Sequence, residues 1–271
     1  MNVLPYEIVA LDVDGTLLHD DHHLSERTKR TVQRVHEAGA KVVLCTGRSL
    51  PNSLAILQKL ELSGTVITNN GAVTIDSATK HVEQMCDYPL EAIMPYLSYC
   101  RSRDELNIDL STPTQLFVER MSPIAEQMYE LYSLIPDWID DFSQLSPLVK
   151  MSIYGEKAAI DHLQQMWSPN PGALSLIRSG DHFIDVMHPR ATKGNALRSL
   201  AGRMGVPRER ILAIGNYYND QAMIEFAGMG IAVANAPEDL KQIADSVTLS
   251  NNQDGVHVAL VEHFFMESKN R

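Results

Sequence analysis

The chain has 271 residues, 44% of them hydrophobic, and a formal net charge of −11. That length can bury a large core, as one domain or as a domain plus an insertion. The acidic balance argues against broad binding to nucleic acid or anionic membranes, which need basic surface, yet it leaves phosphorylated metabolites open if the pocket supplies its own cations.

The first predicted strand, Ile8 to Asp12, starts too early to leave room for a secretory signal, and no apolar run approaches membrane-spanning length, so the expectation is a soluble cytoplasmic protein. Ser25 is the predicted N-cap of a helix whose apolar face uses Leu24, Val32, Val35 and Ala38, with Gly39 at its C-terminal cap. Lys41 to Cys45 reads as strand two, Pro51 opens a helix through Leu60, and Thr65 to Thr68 reads as strand three. Cys45, Cys86 and Cys100 are odd in number and lack metal-type spacing, which predicts no disulfide framework; Cys45, after Val42-Val43-Leu44, reads as a small buried side chain. From about Met85 to Met187 the order changes to helix, two strands, helix, strand, helix, two strands. The helices are Leu90–Arg101, Pro123–Leu134 and Lys157–Trp167, and the closing strands are Leu174–Arg178 and Phe183–Met187. Alternation of strand and helix then resumes: helix Lys193 to Met204 capped by Gly205, strand Ile211–Ile214, helix Asp220–Ala227, strand Gly230–Val233, a helix after Pro237, strand Ser246–Leu249 and a last helix from Val256. Two βα segments flanking an α+β block predict an α/β fold, a doubly wound parallel sheet with a second domain inserted.

Polar residues gather at the carboxyl ends of the predicted strands, where open α/β sheets place their ligands. Strand one ends in Asp12-Val13-Asp14-Gly15-Thr16. Paired carboxylates at a strand end suit a divalent cation between them, or one acid that attacks while the other shuttles protons; an exposed Asx turn is the plainer reading. Strand two ends in Thr46-Gly47-Arg48, a hydroxyl and free N–H groups suited to phosphate oxygens, and strand three in Asn69-Asn70-Gly71. The strand from Ile211 ends in Gly215-Asn216-Tyr217-Tyr218-Asn219-Asp220, rich in oxygen ligands. Lys193 opens a helix against its dipole, which points either to a solvated side chain or to an anion lodged between the strand ends. His19, His22 and His23, with Asp20 and Asp21, read as a solvated loop; Trp167 and the scattered methionines of the block read as core.

These four segments, Asp12-Val13-Asp14-Gly15-Thr16-Leu17, Thr46-Gly47-Arg48, Lys193-Gly194 and Gly215 to Asp220, appear in the order and spacing that resemble the haloacid dehalogenase superfamily of phosphohydrolases, specifically its Cof-type branch. The resemblance runs almost end to end, with Asn69-Asn70-Gly71-Ala72 and Gly230 to Ala236 as secondary marks. It implies a Rossmann-like hydrolase core at 1–84 and 188–271 and an inserted α+β cap domain at 85–187. It further implies a Mg²⁺-dependent phosphatase acting on a small phosphorylated metabolite, such as a sugar phosphate or a nucleotide or vitamin-precursor phosphate. Asp12 would be the nucleophile of a phosphoaspartyl intermediate and Asp14 the general acid and base. Thr46, the Gly47 N–H, Lys193 and Asn219 would hold phosphoryl oxygens, with the Val13 and Asp14 main chain and with Arg48, Asn69 and Asn70 beside them. Asp12, the Asp14 carbonyl, Asn216 and, through water, Asp220 would hold the Mg²⁺.

One position departs from the family pattern. The fourth segment usually begins Gly-Asp, and that aspartate is a direct Mg²⁺ ligand; here it is Asn216, which can coordinate but carries no charge. An active enzyme needing more Mg²⁺ and a phosphometabolite-binding or regulatory protein with little turnover both follow from this. A phosphomutase is a further reading, because related capped folds run intramolecular transfer on the same core.

Overall fold

The computed structural model describes residues 4–131, 134–168 and 172–266. In chain order the first half is β1 (Ile8–Leu11), α1 (Glu26–Glu37), β2 (Lys41–Cys45), α2 (Leu50–Leu60), β3 (Thr65–Thr68), β4 (Val73–Asp76), β5 (Val82–Met85), α3 (Met94–Arg101), β6 (Asn107–Ser111), β7 (Leu116–Val118), α4 (Pro123–Leu131) and β8 (Asp137–Trp138). The second half is β9 (Lys150–Tyr154), α5 (Lys157–Trp167), β10 (Ser175–Gly180), β11 (Phe183–Met187), α6 (Lys193–Met204), β12 (Ile211–Gly215), α7 (Gln221–Phe226), β13 (Met229–Val233), α8 (Glu238–Ile243), β14 (Ser246–Thr248) and α9 (Gly255–Phe264). No helix among the described residues is long and apolar enough to cross a membrane.

An eight-stranded sheet runs β14-β13-β12-β1-β2-β3-β4-β5. It is parallel from β14 to β3 and antiparallel beyond. The strand order reverses between β1 and β12, which makes that junction the switch point of a doubly wound sheet. Its central strands β1 and β12 are apolar throughout because both faces are covered. Val9, Leu11, Val42, Leu44, Leu212 and Ile214 pack with buried residues of α1, α2 and α9, whereas Ile8, Ala10, Val43, Cys45 and Ala213 pack with those of α6 and α7. A second sheet runs β10-β11-β9-β6-β7-β8, with α3 and α5 contributing to its core through Leu97, Cys100, Ile160 and Leu163. Trp167 packs edge-on against Tyr96 and Tyr99 at that core. The cysteines are free and buried.

Several boundaries differ from the sequence reading. The helix expected over Leu90–Arg101 begins at Met94 after a separate short turn, Leu90–Ala92. Pro95 is the reason: deep inside a longer helix it would remove a hydrogen bond, but in the first turn it costs nothing. The helix expected through Leu134 is described as far as Leu131; 132–133 lie outside the described residues, and Leu134 is not helical. The β4–β5 hairpin and the two-residue edge strand β8 were not anticipated. Ala38 is exposed at the end of α1, and the buried face is completed by Thr28 and Thr31 instead.

Candidate active site

The site is built where four parallel strands end. Asp12 follows β1 directly and is buried, its N–H donating to the Ile214 carbonyl of β12 at 3.0 Å. Lys193 is the first residue of α6 and is wholly buried. Its Nζ donates to Asp12 Oδ1 at 2.7 Å and to Asp220 Oδ1 at 2.6 Å. The other oxygen of Asp220 accepts the N–H groups of Asn216 and Tyr217, at 2.8 and 3.1 Å. Burial and the neighbouring Asp220 charge push the Asp12 carboxyl up to about 7, against the pull of Lys193. Burial alone would strip the Lys193 proton, but the two carboxylates outweigh it and hold the ammonium well above its ordinary range.

Gly15 turns the chain at φ +73°, a left-handed conformation that glycine adopts without strain, and a side chain there would strike Asn216. The turn sets Asp14 apart from Asp12 and into the fork of Arg48. Nε donates to Oδ2 at 2.8 Å and Nη2 to Oδ1 at 2.6 Å. His22 Nδ1 lies 3.5 Å from the same Oδ1. Burial works to raise the Asp14 pKa, but hydrogen bonds from Arg48 and His22, with their charges, hold it well below the usual carboxylate range. Asn216 closes the ring. Its Oδ1 accepts from Thr16 Oγ1 at 3.2 Å and faces Asp12 Oδ2 and the Asp14 carbonyl oxygen; with the amide turned, Nδ2 would donate to these two at 3.0 and 3.1 Å.

The loops after β2 and β3 lock together beside this ring. Thr46 O accepts the Asn70 N–H at 2.9 Å, and Thr46 Oγ1 accepts the Arg48 N–H at 3.1 Å. Asn69 and Asn70 sit at φ +48° and +52°, a region asparagine tolerates better than most residues. Asn70 thereby bridges two elements: its Oδ1 accepts from Asn219 Nδ2 at 3.0 Å, and its Nδ2 donates to Asp185 Oδ2 on β11 at 2.6 Å.

A cavity of about 380 Å³ lies between the ends of the parallel strands and the second sheet. Of the residues singled out from the sequence, Asp12, Asp14, Gly47, Arg48, Asn216 and Asn219 line it. Lys193, Asp220, Thr46, Asn69 and Val13 are buried and stand behind that lining. Asn70 is buried too and lines a smaller neighbouring cavity. Sequence reasoning missed the wall contributed by the second sheet: Asp109, Lys150, Ser152, Phe183 and Asp185. Their signal was the period-two alternation with Ile108, Leu110, Met151, Ile153, Ile184 and Val186, which are buried in that sheet's own core. The loop of histidines is also more than a solvated turn. His19 Nε2 meets Asp254 at 3.1 Å, and His22 faces Asp14 and lines the cavity. Of the two tyrosines in the fourth loop, Tyr217 lines the main cavity and Tyr218 the smaller one.

The oxygens suited to a hard cation are mixed in kind. Among the described residues no group of three or more His, Cys, Asp or Glu is placed to hold a metal. Instead one carboxylate oxygen of Asp12 and one carbonyl oxygen of Asp14 converge on the Asn216 amide. An oxygen-only set of this kind, with Asn216 Oδ1 facing the other two, fits Mg²⁺.

The match to a haloacid dehalogenase-like hydrolase family spans residues 9–260. The chain belongs to that family. Among its relatives is the phosphatase YwpJ of Bacillus subtilis, 29% identical and covering 92% of this chain and 97% of its own length. Another from the same organism is named a 5-amino-6-(5-phospho-D-ribitylamino)uracil phosphatase; it is 30% identical, covering 97% of this chain and 99% of itself. A haloacid dehalogenase-like hydrolase from Bacteroides thetaiotaomicron superposes with a TM-score of 0.84 at 29% identity, over 96% of this chain and all of the other. With relatives named as phosphatases along its whole length, this member is a phosphatase-type hydrolase.

Proposed function

We propose that the protein is a Mg²⁺-dependent cytoplasmic phosphatase that hydrolyses a small phosphorylated metabolite through an aspartyl phosphate on Asp12. The observation that carries this reading is the buried Lys193 ammonium clamped between Asp12 and Asp220, behind a cavity that Asp12 lines together with Asp14. Attack by a carboxylate on a phosphate dianion sets negative charge against negative charge, and Lys193 offsets that repulsion where it develops. Asp12 would attack phosphorus through the oxygen that does not face the cation, and expel the alcohol. The Gly47 N–H, the Thr46 hydroxyl and Asn219 would orient the phosphoryl oxygens. Asp14 would give its proton to the leaving alcohol, then take one from the water that releases inorganic phosphate. The Arg48 fork holds Asp14 as the carboxylate, the form that takes a proton from water; donation to the leaving group requires that pairing to open.

Asp12, the Asp14 carbonyl and Asn216 would hold the Mg²⁺, and Asp220, with both oxygens engaged, would act on it only through water. When bound, the ion neutralises charge on the nucleophile and the phosphoryl group. The hydrolase core would be 1–84 with 188–271, and 85–187 a cap that seats over the site and selects the leaving group. The cap's ties to the core support this division: Lys150 Nζ donates to the Gly47 carbonyl at 2.8 Å, and Asn70 holds Asp185. One observation favours a second reading, a phosphometabolite-binding protein with little turnover: Asn216 brings no charge to the cation where the family pattern has a carboxylate.

The test is phosphate release from a panel of phosphate esters with and without Mg²⁺, in the wild type and in Asp12→Asn. Mg²⁺-dependent release that vanishes in a folded Asp12→Asn protein is expected. Turnover near wild type in that variant overturns the covalent mechanism, and tight ligand binding without release at high Mg²⁺ selects the second reading.

A further inference from the structure

A chain of polar side chains runs from the second sheet to the loop after β12, and its direction is set at one end. A carboxylate offers only oxygens, so Asp185 of β11 can only accept. Its Oδ1 takes the Ser152 hydroxyl at 2.7 Å, with Lys150 Nζ 3.8 Å away, and its Oδ2 takes Asn70 Nδ2 at 2.6 Å. An amide that gives its nitrogen to Asp185 has its oxygen left for the other neighbour, and Asn70 Oδ1 accepts from Asn219 Nδ2 at 3.0 Å. Asn219 Nδ2 carries two hydrogens, so one remains for an oxygen in the main cavity, which Asn219 lines. Asn70 is seated closely for this. Its N–H donates to the Thr46 carbonyl at 2.9 Å, and a Cβ at Gly47 would lie 2.9 Å from its Oδ1. Asp185 and Asn70 are both buried, so reversing the Asn70 amide would set oxygen against oxygen at no small cost.

We propose that Asp185 is a positioning residue that, through Asn70, fixes the Asn219 carboxamide with its nitrogen, not its oxygen, toward a bound phosphoryl group. The inference rests on the phosphatase reading, in which Asn219 orients that group. A donor held in place before the ligand arrives needs no reorganisation, whereas an amide oxygen there would oppose a phosphoryl oxygen. Asp185→Asn changes the direction of the chain without removing a bond. Lys150 stands on the Ser152 side of residue 185 and favours an oxygen there, so the new amide turns its nitrogen to Asn70. Asn70 then turns in response, and Asn219 presents its oxygen. In Asp185→Asn/Asn70→Asp the carboxylate moves one step along the chain and accepts from both neighbours, so Asn219 again presents nitrogen. A tie that served only to seat one sheet on the other would keep a hydrogen bond in both proteins and leave phosphate binding unchanged.

The affinity for inorganic phosphate is measured by ³¹P NMR titration in 5 mM MgCl₂. Asp185→Asn is expected to weaken it about tenfold, and the double variant to return within about threefold of the wild type. A loss smaller than about threefold in folded Asp185→Asn overturns the proposal, as does a double variant that binds no better than the single one. The wild type supplies a second measurement that does not depend on the variants folding. One Asn70 Nδ2 proton is expected to resonate downfield against the carboxylate, and the Asn219 Nδ2 protons to shift when phosphate is added. Failure of either, or no binding of phosphate, overturns the proposal. Phosphate release from esters by the wild type is measured separately. Phosphate binding that depends on Asp185, without release from any ester, retains the positioning role and removes the phosphatase reading; release with a phosphate affinity indifferent to Asp185 does the reverse.

Discussion

At Asn216 one amide stands where a carboxylate would complete a cation site, and its consequences run in two directions. Without metal, the amide can turn Nδ2 to Asp12 Oδ2 and the Asp14 carbonyl and tie together the loops that it links. With metal, it presents its oxygen instead and offers no charge. Asn216→Asp therefore should lower the melting temperature in metal-free buffer, through repulsion from Asp12, and make that temperature rise more steeply with added Mg²⁺. It should also tighten Mg²⁺ binding at least tenfold, about 1.4 kcal/mol, when both proteins are titrated by calorimetry. Equal Mg²⁺ affinity would show that residue 216 is not a ligand. The substitution was visible in the chain as a departure from the family pattern. The amide's approach to Asp12 was not, because it joins positions 12 and 216, which only the pairing of β1 with β12 brings together.

Among the elements, the second sheet carries a polar face that its strands could not have without the cavity. Asp109 of β6 is buried there against Ser152, Asp185 and Lys150 from β9 and β11, with Tyr129 of α4 and Tyr154 of β9 also facing it. Burial is the main cause, and it pushes the Asp109 carboxyl from 3.8 up to about 6. The folded pKa is raised, so between roughly pH 4 and 6 the folded chain keeps a proton that the unfolded chain has lost. Stability thus falls as pH rises through that window, by at most about 3 kcal/mol for a shift of about two pK units. Asp109→Asn removes the penalty. Relative to the wild type it should gain several degrees more in melting temperature at pH 7.5 than at pH 4.5. A gain of the same size at both pH values would show that Asp109 carries no buried charge. The alternation in Asn107 to Ser111 was legible along the chain, but which face met a core and which met a cavity was not.

Over the whole molecule, two sheets meet around a shared cavity, joined by an apolar cluster that includes Val73 and Ile75 of the first sheet and Met187 of the second, and by polar ties at the site. Lys150 reaches the Gly47 carbonyl and Asp185 reaches Asn70, so the second sheet rests on the same loops proposed to hold phosphate. A chain in which 87–187 are replaced by a short Gly-Ser linker should keep part of its hydrolysis of p-nitrophenyl phosphate and lose discrimination among metabolite esters. The joint belongs after β5, because that strand closes the edge of the first sheet. Unchanged selectivity in a well-folded protein of this kind would count against the cap assignment.

The alternation of strand and helix, the doubly wound order and the four polar loops at strand ends were all legible along the chain. Each depends on spacing within a few residues: short apolar runs in β1, β2 and β12, caps at Ser25 and Gly205, carboxylates two apart at Asp12 and Asp14. The helix restart at Met94 was legible too, had Pro95 been weighed against the apolar run. What remained hidden depends on distance in the chain. Arg48 meets Asp14 across 34 positions, Asn70 meets Asp185 across 115, and Lys193 meets Asp12 across 181. No local pattern encodes such pairs, because they arise from strand order, register and the seating of one sheet on another. Those long-range placements decide which acid is held ionised and which is clamped by lysine.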